Sequence, residues 1–385
     1  MANEEMQRAR AELKRAGADW ALLSAYENVT YVSHFETPVE FGFYADTSYA
    51  PPMCLVGVTQ PASALLINSG FDGWIKERDA VDQVVLHETY PTSADFSPRE
   101  NFLASLRQAL KQAGLARGKA RLAVEERRLP AVVQRLLADE FPNLELGEAG
   151  PALAAARLIK TPREIDLLRR VAEINRFGQQ EFLHQCRQAG KNHFEIYAAT
   201  TRAIESQACR PLHFAADFVV GADMGALVNG PKNAITQPGE MALFDSLIRV
   251  DGYWSDTTNT VLIGSVPPTE VQRLYGETAR AAFYAAVEAL RPGNKARQVW
   301  EAANAVLVKR GLALPHHAGH GIGTTVNEEP RLLPFDESTI QAGMVFSVEP
   351  GAYEGPGGSS GARMEKQVIV HESGPEIFPD FEWGF

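Results

Sequence analysis

Over roughly the first 155 residues, short apolar runs alternate with amphipathic stretches. Runs at 20–24, 53–58, 64–68, 84–87 and 122–125 predict strands, and apolar spacing close to 3.6 predicts helices near 99–112 and 131–140. Alternation of this kind describes an α/β layer. The segment beginning at Asn28 (Asn-Val-Thr-Tyr-Val-Ser-His-Phe) reads as a core strand leading into a surface loop. The aromatic group Phe41, Phe43 and Tyr44 behind it is expected to cover an interface or a pocket, with simple packing as the alternative.

The pattern changes near residue 157. Thr161-Pro162-Arg163-Glu164 has threonine at an N-cap, proline at the first helical position and glutamate at the third, before a helix with Ile165, Leu168, Val171 and Ala172 on one face. A second domain begins here, which divides the chain into 1–156 and 157–385. The length of 385 residues agrees, being too great for one ordinary hydrophobic core. Further helices are expected over 193–207, 270–290 and 296–310.

The window 241–264 has β-branched and aromatic residues on both sides of Asp251-Gly252, a strong two-residue hairpin signal. With 251 and 252 as the turn, 245 pairs with 258 and 247 with 256. Asp245 and Asp256 then project from one face as diagonal neighbours, with β-carbons about 7 Å apart or less. Two carboxylates on a buried face raise each other's pKa, and a cation is the natural reason to tolerate them; one metal or two would serve. Solvated aspartates on an exposed face are the alternative, weakened by the flanking Ala242, Leu243, Phe244, Val261, Leu262 and Ile263.

Composition narrows the chemistry. The net charge is -11, and no long run of Lys or Arg occurs, which argues against nucleic acid or an anionic membrane as partner. A charged N-terminus and the lack of a long apolar stretch lead us to expect a cytoplasmic protein that does not enter the membrane. Cys54, Cys186 and Cys209 are too few and too scattered for a disulfide framework or a thiolate zinc site, so any metal must be held by oxygen and imidazole. Candidates follow in order: His320, set among glycines in His316-His317-Ala-Gly-His320-Gly321-Ile-Gly323; Glu349, which ends an apolar strand; and Glu365, which begins another after a Gly/Pro-rich loop.

These segments resemble the pita-bread metallopeptidase superfamily, which includes methionine aminopeptidase, Xaa-Pro aminopeptidase, prolidase and the metal-free creatinase. The resemblance covers essentially the whole chain. It implies an α/β N-terminal creatinase-type domain followed by an α+β pita-bread catalytic domain. By resemblance, Asp245 binds one of two divalent ions, Asp256 and Glu365 bridge both, and His320 and Glu349 complete the other site. An all-oxygen set with one imidazole suits Mn, Co, Fe or Zn. Glu349 is implied to receive and relay a proton, and relatives are commonly homodimers.

The resemblance breaks at two places. Where the proline-directed branch carries histidines, this chain has Asn229 and Asn327; the arginine usual after the second ligand aspartate is Asn259, whereas His316 and Arg363 are kept. Asparagine hydrogen-bonds but does not titrate. Asn229, Asn327, His213 and Arg363 are therefore expected to contact the substrate, and His316 or His213 to supply a proton. Three readings stay open. The first is a metal-dependent hydrolase of an amide or other C-N bond in a dipeptide or small molecule. The second is a non-peptidase such as a lyase on a small sulfonium or N-substituted acid, and the third a non-catalytic binding protein.

Overall fold

The computed structural model describes residues 3–38, 48–89, 97–225 and 229–385. The chain divides into two compact units, the first ending at Arg157 and the second starting at Leu158. Phe41, Phe43 and Tyr44 lie outside the described residues.

The first unit is a six-stranded mixed sheet between helical layers. Its strands are β1 (Trp20–Leu23), β2 (Met53–Gly57), β3 (Ser63–Asn68), β4 (Gln83–His87), β5 (Ala120–Val124) and β6 (Leu144–Glu148), in the order β4-β3-β2-β1-β5-β6. Alternate side chains along each strand serve opposite faces. Leu23, Cys54 and Val56 pack with Met6, Ala9 and Leu13 of α1 (Glu4–Arg15) and Leu153 of α5 (Gly150–Arg157). Leu22, Met53 and Leu55 pack with Phe102, Leu106 and Leu110 of α3 (Pro98–Gln112) and Val133 and Leu137 of α4 (Ala131–Glu140).

The expected strand at Asn28 is instead helix α2 (Tyr26–Ser33). Residues 28–33 are buried on all sides, so the run shows no amphipathic period to distinguish helix from strand. Its N-terminus lacks a local cap, because Ala25 has no capping side chain. The buried carboxylate of Glu125 takes that place, accepting from Ser24 N at 2.5 Å, Ala25 N at 2.7 Å and Asn28 Nδ2.

In the second unit the capping box forms as expected: Thr161 Oγ1 accepts from Glu164 N and Glu164 Oε2 from Thr161 N, starting α6 (Pro162–Cys186). Alongside runs α7 (His193–Ala208). Against α6 lies the antiparallel sheet of β7 (His213–Val220), β8 (Met241–Val250) and β9 (Tyr253–Leu262). One face of this sheet meets α6 through Phe182, Phe218 and Phe244, and through Asn175 and Gln179, which hydrogen-bond Ser246, Ser255 and Thr257. The other face carries the acidic residues. A five-stranded antiparallel sheet, β11-β10-β12-β15-β16, and the ribbon of β13 (Gly351–Tyr353) with β14 (Gly361–Arg363) complete the unit. Here β10 is Gly319–Gly321, β11 Glu328–Arg331, β12 Val345–Val348, β15 Lys366–His371 and β16 Gly374–Phe378. Helices α8 (Glu270–Ala289) and α9 (Ala296–Val308) cover this part through Phe283, Ala286, Val299 and Leu307. Among the described residues no helix is long and apolar enough to cross a membrane.

Candidate metal centre

The centre begins with a turn. Asp251 and Gly252 have φ of 52° and 87°, the two positive values that a tight type I′ hairpin turn requires. This fixes the register at Asp245 opposite Thr258 and Leu247 opposite Asp256, so both aspartates share the face away from α6. β7 adds Asp217 directly opposite Asp245. Onto this face come His320 from β10, Glu349 after β12, Arg363 at the end of β14, and Glu365 before β15. Backbone hydrogen bonds from Glu365 N to Thr258 O at 3.1 Å and from Glu349 N to Ala318 O at 2.9 Å hold two of these positions.

Asp245, Asp256, His320, Glu349, Arg363 and Glu365 are all buried. His320 Nε2 stands 3.3 Å from Glu349 Oε1 and 3.6 Å from Asp256 Oδ2. Its Nδ1 donates to Gly321 O at 2.9 Å, which orients the ring and points Nε2 at the carboxylates. Arg363 Nη2 bonds Asp245 Oδ2, and Arg363 Nε donates to Thr258 Oγ1 at 3.0 Å; that hydroxyl donates to Glu365 Oε2 at 2.6 Å.

Burial and mutual repulsion push the carboxyls of Asp245 and Glu365 well above their ordinary range: Asp256 and Glu349 act on both, partly opposed by Arg363. Burial would also raise Glu349, but hydrogen bonds from His317 and His320 hold it well below the usual value. Burial opposes charging His320, yet hydrogen bonds with Asp256 and Glu349 raise it to about 10.

Three oxygens on this face, Asp245 Oδ1, Asp256 Oδ1 and Glu365 Oε1, are buried and meet no hydrogen-bond donor among the described residues. Uncompensated buried carboxylate oxygens are costly, and divalent cations would satisfy them. Asp256, His320 and Glu365 also offer ligand atoms within 4.8 Å of one another. The donor set therefore fits hard or borderline divalent ions.

The other expected site residues are placed less uniformly. Asn229 lies beside the site through its backbone: its N–H hydrogen-bonds the Asp217 carboxylate and its carbonyl accepts from Phe218 N at 2.7 Å. Asn327 does not join the cluster. It is exposed, and its Oδ1 accepts from Arg331 Nη2 at 2.7 Å, because β11 places Arg331 opposite His320 and within reach of the preceding turn. His213 starts β7 opposite Arg249. His316 stands with Nδ1 donating to His317 O at 2.7 Å and Nε2 3.3 Å from Tyr353 Oη, and burial lowers it to about 4. Asn259 turns to the opposite face and pins the C-terminal segment, donating to Glu382 O at 2.9 Å and accepting from Gly384 N at 3.0 Å.

Three residues were not foreseen. Asp217 Oδ2 is 3.9 Å from Arg363 Nη2, and its carboxyl is raised, mainly by burial. His317 Nε2 is 3.0 Å from Glu349 Oε1, and Tyr353 hydrogen-bonds Arg363. The doubled histidine at 316–317 was the available signal for one of them; Asp217 and Tyr353 had none.

A mixed α/β unit followed by paired antiparallel sheets, with acidic residues and one histidine converging inside, defines a pita-bread metallopeptidase. The family model of metallopeptidase family M24 matches residues 166–372, and that of the creatinase/prolidase N-terminal domain matches 6–159. The chain belongs to metallopeptidase family M24. It is 32% identical over 270 residues to the Xaa-Pro dipeptidase of Lactobacillus helveticus, covering 66% of this chain and 69% of that protein. It is 26% identical over 373 residues to the putative dipeptidase YkvY of Bacillus subtilis strain 168, covering 96% and 95%. In fold it matches the prolidase from Pyrococcus horikoshii OT3 with a TM-score of 0.79 at 20% identity, over 99% of each chain.

Proposed function

We propose that the chain is a dinuclear metal-dependent hydrolase that cleaves an amide or other C-N bond in a dipeptide or small molecule. The observation that carries this reading is the set of three donorless, buried carboxylate oxygens on Asp245, Asp256 and Glu365. With His320 and Glu349 these residues would hold two divalent ions such as Mn, Co, Fe or Zn. When bound, such ions acidify water and polarise a carbonyl oxygen.

The chain's own groups then divide the work. Glu349, held as a carboxylate by its two imidazole neighbours, accepts the proton of the attacking water and passes it to the leaving nitrogen. Arg363 keeps its charge among Asp245, Asp217 and Glu349 and meets the negative part of a substrate. Asn229, beside Asp217, offers a neutral amide to the substrate where a titratable imidazole would otherwise stand. His316 acts through Tyr353, which bonds Arg363. Because a relative is named an Xaa-Pro dipeptidase, Xaa-Pro dipeptides are the first substrates to try.

The test is a turnover screen of the metal-loaded protein with Xaa-Pro dipeptides and with small N-substituted and sulfonium acids, run in 18O-labelled water. We expect chelator-sensitive cleavage with one label in the product. Turnover without label would replace hydrolysis with elimination, and turnover that survives complete removal of metal would overturn the reading.

A further inference from the structure

We propose that His316, His317 and Glu349 form an additional cation seat at the edge of the carboxylate cluster, rich in imidazole and suited to Zn2+ or a similar borderline ion. It shares Glu349 with the proposed pair but does not depend on the reaction assigned to that pair.

Each of the three residues offers one ligand atom, and these atoms lie within 4.8 Å of one another. They form a group separate from Asp256, His320 and Glu365. Glu349 Oε1 is 3.0 Å from His317 Nε2 and 3.3 Å from His320 Nε2, while its Oε2 lies 4.0 Å from Arg363 Nε, so the oxygen that faces the histidine seat is the one the seat shares with the proposed pair. The histidine rings stand nearly perpendicular, at 86° with centroids 5.9 Å apart.

The tautomer of His316 is already that of a ligand. A carbonyl oxygen can only accept, so the 2.7 Å bond to His317 O fixes the proton on Nδ1 and leaves the lone pair on Nε2. Tyr353 Oη, at 3.3 Å, is a long partner for that lone pair. Bonds of about 2.0–2.1 Å in a tetrahedral site set ligand atoms roughly 3.4 Å apart. The Glu349–His317 separation is therefore close to the required one, and side-chain rotation of the half-buried histidines would bring in the rest.

The donor set identifies the ion. Two imidazoles and one carboxylate with an open position match the ligation of catalytic zinc, whereas Mg2+, Ca2+ and Mn2+ prefer oxygen. The carboxylate cluster supplies that oxygen-rich environment through Asp245, Asp256 and Glu365.

The experiment is equilibrium dialysis of the full-length protein against buffered Zn2+ and, separately, Mn2+, read by elemental analysis, with wild type, H317N, H316Q and D256N checked for folding by circular dichroism. We expect H317N to lose one zinc equivalent or bind it about tenfold or more weakly, with the number of Mn2+ ions bound retained. H316Q, the second variant should H317N not fold, is expected to show the same selective loss. D256N should lose Mn2+ and any zinc held by the pair, and keep one zinc equivalent. Wild-type zinc stoichiometry and affinity in both folded histidine variants would overturn the seat and leave the dinuclear reading intact. Unchanged Mn2+ binding in D256N would count against the dinuclear reading alone.

Discussion

Substituting alanine for Gly319 should both destabilise the second unit and displace His320. Gly319 has a φ of +150°, which L side chains rarely adopt, and a Cβ there would stand 2.1 Å from Ser347 O and 3.1 Å from Val348 Cα. Ser347 is the β12 residue paired with His320, so β10 would have to retreat by more than an ångström to regain ordinary contact. Backbone strain and forced overpacking each cost about 1–3 kcal/mol, together about 4 kcal/mol. For a folding unit of this size that corresponds to a melting temperature lower by roughly 8–16 °C. Gly321→Ala is a milder form of the same perturbation: its Cβ would lie 2.7 Å from Glu329 O without a positive φ, at a cost of about 2 kcal/mol. Gly118→Ala, where a Cβ meets nothing within 4 Å, is the control. Calorimetry gives the stability and elemental analysis the metal retained. A Gly319→Ala protein that melts with wild type and keeps its metal would refute the claim that close backbone approach, rather than chance, set His320 among glycines.

Asp256→Asn should remove Mn2+ from the carboxylate pair and turnover together, measured by elemental analysis beside the assay, since it deletes the charge of a buried carboxylate whose Oδ1 meets no donor among the described residues. Glu349→Gln should lower the rate far more than metal content, because an oxygen ligand survives and the proton acceptor does not; equal losses would assign Glu349 to metal binding alone. In the first unit, burial lowers His87 from 6.5 to about 4, and its Nδ1 meets no partner among the described residues. Between those values the unfolded chain binds the proton and the folded one does not. Stability is thus complete above pH 6.5 and is lost as pH falls through 4, by about 3 kcal/mol. Urea midpoints from pH 7 to 4 should fall less steeply in His87→Phe than in wild type, and parallel curves would contradict the assignment.

What could be read from the sequence depended on how local the determinant was. The Asp251-Gly252 turn and strand alternation sufficed for the register that unites Asp245 with Asp256, and Thr161 with Glu164 sufficed for the start of α6. Helix α2 reads as a strand in the sequence because it is buried all round and its cap comes from Glu125, a hundred residues away. Asp217 escaped notice for a related reason. An aspartate in a short apolar strand has no local mark of function, and only the pairing of β7 with β8 sets it opposite Asp245. From its position relative to His320, Asn327 is expected at the site, but Arg331, four residues on at the far end of β11, takes up its oxygen. Spacing locates a residue along the chain; what its side chain meets is settled by neighbours that spacing does not contain.

The two-residue turn between β8 and β9 also orders events in time. A hairpin closed this tightly forms in about 1–10 μs, so Asp245 and Asp256 come together early. His320, Glu349 and Glu365 arrive only when strands much later in the chain dock on the same face. A folding chain therefore first presents a half-site of two carboxylates, and the full cage exists only near the native state. Bound cations should then act on the unfolding limb of a chevron plot and leave the folding limb where it is. The metal would lengthen the life of the folded protein without guiding its assembly.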